Sequence, residues 1–128
     1  MPLLGLGALP SIDEAAKIAS LFANNGRYKG QQILDEEKVK DVFRATEWQG
    51  HSTNNDFRGQ NYRHSFWSKE IRTSKCTTIA TYMLGFGEHY IVFLPSGTIL
   101  FRFFDEHDLN IDRLIKRVEQ LRSSCPEN

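Results

Sequence analysis

Apolar positions fall into four blocks separated by polar stretches, and their spacing changes along the chain. From Ser11 onward, Ile12, Ala15, Ala16, Ala19, Phe22 and Ala23 recur at helical spacing and define one face. Ser11 followed by Glu14 has capping-box spacing, and Asn24, Asn25 and Gly26 supply a stop with a residue suited to a left-handed position. "RYKGQQIL" reads as a turn and a short extended segment. Asp35 then caps a second helix, "EEKVKDVFRAT", with Val39, Val42 and Phe43 inward and an acidic first turn that suits the helix dipole. The period then shifts to that of strands. "YRHSFWS" predicts a strand with Tyr62, His64 and Phe66 on one side, followed by a polar stretch from Lys69 to Thr78. "TYMLGFGEHYIVFLPSGTILFRFFD" predicts a hairpin about "PSG", and the unbroken apolar run "YIVFL" marks a central strand covered on both faces. A last helix carries Ile111, Leu114, Ile115, Val118 and Leu121 on one stripe.

This order predicts an α+β fold in one domain, residues 1–128. A helical part spans about 11–46, a polar loop about 47–61 ("EWQGHSTNNDFRGQN"), an antiparallel sheet about 62–104, and a C-terminal helix about 110–123 packs on the sheet. A chain of 128 residues buries enough surface to need no metal or disulfide for its core. Sixteen basic residues balance sixteen acidic ones with no basic run, which argues against nucleic acid and anionic membranes as partners. No apolar run reaches the about eighteen residues of a membrane span. Cys76 and Cys125 lie far apart without a CxxC pattern, so one disulfide and two free thiols both stand open, and with them the compartment.

Candidate chemistry is thin when read residue by residue. His89 follows Glu88, but neighbours in a strand point to opposite faces, so packing explains His89 better than acid–base work. His64, between Tyr62 and Phe66, reads as packed in the sheet, and His51 as a solvated loop residue. Asp105, His107, Asp108, Asn110 and Asp112 lack the glycine and distal glutamate of a calcium loop, and caps and turns account for Asp108 and Asn110. No serine heads a Ser-x-x-Lys or sits in a G-x-S-x-G elbow. The residues therefore offer no catalytic set, no metal site and no cofactor site.

The motifs do carry a resemblance. "GALPSIDEAAKIASLFANNGRYKGQQIL", "YRHSFW", the long hairpin stretch and the closing helix follow, in order, the pattern of serine hydrolases related to β-lactamases and penicillin-binding proteins. The likeness covers nearly all of this chain but only the C-terminal portion of a full family member. It implies the C-terminal part of the β-lactamase-like fold. It also implies a strand at the edge of an acyl site, in which a Lys/His-Thr/Ser-Gly triplet aligns with Met83, Leu84 and Gly85, with Gly87 following. Met83 brings no charge, Leu84 no hydroxyl, and Glu88 stands where a small residue is expected.

The function this implies is the C-terminal portion of a serine hydrolase acting on acyl amides, esters or lactams. Without the Ser-x-x-Lys nucleophile the isolated chain is expected to be inactive. The expected partner is the missing N-terminal portion of the same protein, or a second copy. A disulfide between Cys76 and Cys125 would fit a periplasmic or secreted member. The alternative is a stand-alone, non-catalytic α+β module that self-associates or binds a partner through an exposed sheet edge.

Overall fold

The computed structural model describes residues 11–44, 51–52, 60–85, 89–103, 111–119 and 123–126. The chain divides into two compact units, Met1–Lys40 and Asp41–Asn128.

In the first unit, helix α1 (Ile12–Ala23) starts at the capping box read from the sequence: the Glu14 amide donates to Ser11 Oγ, and the Ser11 amide to Glu14 Oε2 at 2.8 Å. Those bonds hold the Glu14 carboxyl below its usual range. The buried face is narrower than the periodicity predicts. Ala15 and Ala19 are buried, whereas Ile12 in the first turn is 63% exposed and Ala23 at the other end is also exposed. Strands β1 (Arg27–Tyr28) and β2 (Gln31–Gln32) then form a small hairpin about Lys29 and Gly30, both left-handed. Gly26 is needed where it stands: its φ is +82°, and a Cβ there would meet the Leu34 carbonyl oxygen at 2.5 Å. Gln32 fastens the same turn, donating to the carbonyls of Asn25 (2.8 Å) and Leu34 (2.6 Å) and accepting from Arg27 Nε (2.9 Å). The Asn24-Asn25-Gly26 stop and the "RYKGQQIL" segment after it are thus turn chemistry. Asp35 caps α2 (Glu36–Phe43) by accepting from the Lys38 amide, and the unit boundary falls inside this helix, after Lys40.

The second unit holds a six-stranded antiparallel sheet in which β3 (His51–Ser52), β4 (Gln60–Arg63), β5 (Phe66–Arg72), β6 (Thr77–Gly85), β7 (His89–Phe93) and β8 (Ile99–Arg102) lie in chain order. Every described neighbour pair is therefore antiparallel. One face carries Ile71, Ala80, Tyr82, Tyr90, Val92 and Leu94, and Ile111 and Ile115 of helix α3 (Ile111–Glu119) join them in one cluster. Each fully buried Ile or Val here contributes about 1.5–3 kcal/mol. Burial also pushes the Tyr82 phenol well above its ordinary range. On the other face, Phe43 from the last turn of α2 meets Phe66 and Phe93 edge-on, with centroids 6.4 and 5.2 Å away. The α+β class read from the sequence holds, with the last helix packed on the sheet.

Three expectations change. "YRHSFWS" is not one strand: His64 and Ser65 take left-handed φ of 51° and 66° and turn the chain from β4 into β5. The polar stretch from Lys69 to Thr78 is mostly sheet, because Glu70 and Arg72 point outward from β5 while Ile71 is buried. Within the polar loop of 47–61, His51 and Ser52 are strand, paired with Tyr62 and Asn61. The "PSG" hairpin forms as read, with Gly97 left-handed and its amide donating to the Leu94 carbonyl. In β7, Val92 and Phe93 are buried and Ile91 is half-buried, consistent with a strand flanked on both sides.

Candidate functional site

Met83, Leu84 and Gly85 close strand β6, and the two ladders of that strand stop at different places. Toward β7 the pairing continues to Leu84 with Tyr90 and Gly85 with His89. Toward β5 it ends at Trp67 with Tyr82. Among the described residues, 83–85 are therefore laddered on one side only. Backbone groups alternate in direction along a ladder, so Met83 and Gly85 turn theirs to β7 and Leu84 alone keeps an N–H and a C=O on the side where the ladder to β5 has ended.

Gly85 lies at the end of this stretch and is exposed. Its φ is not left-handed, and a Cβ built there would meet only His89, at 3.6 Å from Cβ and 3.9 Å from the carbonyl oxygen. That is ordinary contact, so neither backbone conformation nor crowding among the described residues calls for glycine. A strand glycine without a Cβ leaves room for another group to approach the backbone. Leu84 packs against the α3-side core, which accounts for an aliphatic residue there, and Met83 is half-buried on the opposite face. Gly87 and Glu88 lie outside the described residues.

The sequence reading of His64 is corrected here. The ring is half-exposed in the turn between β4 and β5, and Nε2 lies 3.0 Å from Asp41 Oδ2. A carboxylate only accepts, so the imidazole donates through Nε2. Neither the turn nor the pair has a local sequence signal: the turn lacks Asn and Gly, and the two residues are 23 apart. His89 is exposed at the start of β7, with its ring 5.9 Å from that of Phe103.

Two other places have chemistry but no focus. A groove of about 370 Å³ between β5 and α3 is lined by Lys69, Arg72 and Lys116 together with Glu70, Asp112 and Glu119. Lys69 is paired with Asp112 and Arg72 with Glu70, so opposite charges meet there and no single-sign field results. Of the acidic cluster considered for a metal, Asp112 is thus engaged with Lys69, and Asp105, His107, Asp108 and Asn110 lie outside the described residues. No group of three or more potential metal ligands gathers among the described residues. No serine among them hydrogen-bonds a lysine or histidine.

Cys76 and Cys125 are joined in a disulfide, with Cα atoms 6.0 Å apart. It links the turn before β6 to the segment after α3. No described helix is long and apolar enough to cross a membrane. Family models, characterised proteins and solved structures all return no match to this chain, so its own residues carry the functional reading.

Proposed function

We propose that this chain is the C-terminal portion of a β-lactamase-related serine hydrolase, contributing one wall of an acyl-binding site whose nucleophile lies elsewhere in the protein. The observation that carries the reading is the one-sided pairing at the end of β6, where the N–H and C=O of Leu84 are left to one acyl amide, ester or lactam group. Gly85 adds support, since nothing among the described residues calls for a glycine there. The wall contributes backbone hydrogen bonds and shape. It contributes no nucleophile and no base to activate one, so the isolated chain turns nothing over. A disulfide suits an oxidising compartment such as the periplasm or the exterior.

The test pairs a covalent probe with a reversible ligand. After incubation with a fluorophosphonate the intact mass stays unmodified, while a short acyl amide shifts the backbone ¹⁵N signals of residues 83–85. A stoichiometric serine adduct, or a ligand that leaves those signals in place, would overturn the reading.

A second reading rests on the outer edge of β8, which pairs with β7 alone among the described residues and carries Ile99, Leu100 and Phe101 half-exposed. Such an edge is a template for another strand. Under this reading the chain is a non-catalytic module that self-associates through β8. Light scattering would give a dimer mass, and Leu100→Lys or Phe101→Lys would return it to a monomer.

A further inference from the structure

Strand β5 is open along part of its outer edge. Its pairing with β4 ends where Lys69 meets Gln60, while its pairing with β6 runs on to Arg72 opposite Thr77. Backbone groups alternate in direction along a ladder, and the Thr73 amide donates to the Cys76 carbonyl on the β6 side. Ile71 therefore also turns its N–H and C=O to β6, and Glu70 and Arg72 turn theirs away from it. Those outward groups have no ladder partner among the described residues. They form one lip of the groove between β5 and α3, whose floor is Ile71 and Ile115 at 4% and 0% exposure.

An open strand edge takes up an extended peptide as an added strand, and the alternate side chains of that strand set specificity. The peptide residue level with Ile71 would point as Ile71 does, toward Ile115, so an apolar side chain suits that place. The charges of the groove select its neighbour. Lys69 is bonded to Asp112 and Arg72 to Glu70, and Glu119 accepts from the Ser124 amide. Lys116, exposed on the α3 wall, has no ion pair among the described residues. Helix α3 runs the same way as β5, from Asp112 beside Lys69 toward Cys125 beside Thr73, so Lys116 in its last turn lies toward Thr73. We propose that this groove binds an extended peptide of a partner protein as a strand antiparallel to β5. Its apolar side chain lies over Ile71 and Ile115, and a carboxylate two residues earlier meets Lys116. The proposal goes beyond the reading of residues 83–85 and does not depend on it.

The test titrates the ¹⁵N-labelled chain with acetyl-threonyl-glutamyl-threonyl-valyl-threonine amide, which sets valine opposite Ile71 and glutamate toward Lys116. The backbone amides of Glu70 and Arg72 are expected to shift, while that of Leu84 stays in place. The central threonine of the peptide would donate to the Arg72 carbonyl, so methylating its nitrogen is expected to weaken binding about tenfold. Lys116→Ala should weaken it about threefold, as should glutamine in place of the peptide glutamate, with no further loss when the two are combined. Unshifted Glu70 and Arg72, or an N-methylated peptide that binds as well as its parent, overturns the added strand. Undiminished affinity in Lys116→Ala overturns the place of the carboxylate. Shifts at Glu70 and Arg72 that follow protein concentration without peptide assign the groove to a second copy, and they overturn the partner peptide. None of these results bears on the acyl edge, which is read at Leu84.

Discussion

Strand β6 is held very differently at its two ends. Around Thr77 the chain is fastened by the ladder to β5, by the hydroxyl of Thr73, and by the disulfide from Cys76 to Cys125. Thr73 Oγ1 accepts from the amides of Lys75 and Cys76 at 3.1 and 3.0 Å and reaches the Cys76 carbonyl oxygen at 3.1 Å. Around Gly85 the described chain has β7 on one side only, and the turn that leads into β5 has two residues in a conformation that disfavours side chains. Stabilising contacts gather at the first end, and at the second the backbone of Leu84 has no ladder partner among the described residues on the β5 side. A binding edge has to keep polar groups available, so its rigidity must come from contacts elsewhere in the sheet.

The contrast breaks most visibly if the fastened end is cut. Replacing Cys76 and Cys125 with serine removes a link across 49 residues and is expected to cost about 4 kcal/mol by loop entropy. Urea unfolding would measure it, and an unchanged midpoint would show that this end does not depend on the link. Thr73→Ala leaves the amides of Lys75 and Cys76 without their acceptor and should cost about 1–2 kcal/mol, with faster amide exchange at Cys76. At the other end the sign reverses. Ser65→Gly relieves a left-handed serine at φ 66° and should stabilise by about 1 kcal/mol, read as a raised melting temperature. The smallest effect is expected at Gly85. Alanine there meets only ordinary contact and should change stability by no more than about 0.5 kcal/mol. A loss of several times that amount would mean the fold itself requires the glycine, and the open-edge reading would lose its support.

The parts legible in the sequence were those set by local chemistry. Ser11 with Glu14, Asp35, the "PSG" hairpin and the stripe of Ile111, Leu114, Ile115 and Val118 each depend on residues a few positions apart. Strand β5 was hidden because its outward residues, Glu70 and Arg72, made a half-buried strand look like a polar stretch. The turn at His64 and Ser65 gave no signal, since the expected Asn or Gly is absent and the bond to Asp41 spans 23 residues. The site was legible only in part for the same reason. Gly85 stood out in the sequence, but the open side of Leu84 beside it depends on where β5 begins, and that is set by the hidden turn.

The strand order has a kinetic consequence. Because β3 to β8 lie in the sheet in the order in which they occur in the chain, each strand's partner is the next one along. No pairing within the sheet has to wait for a distant segment to return. Each hairpin can form as a local unit, and the sheet can grow from it in either direction, so the loop-closure entropy of each step stays small. The long-range search is left to α3, which must come back from the end of the chain to cover Tyr82 and Val92. Substitutions on α3 at Ile111 or Ile115 should therefore speed unfolding more than they slow folding, whereas changes in the hairpins should act mainly on the folding rate.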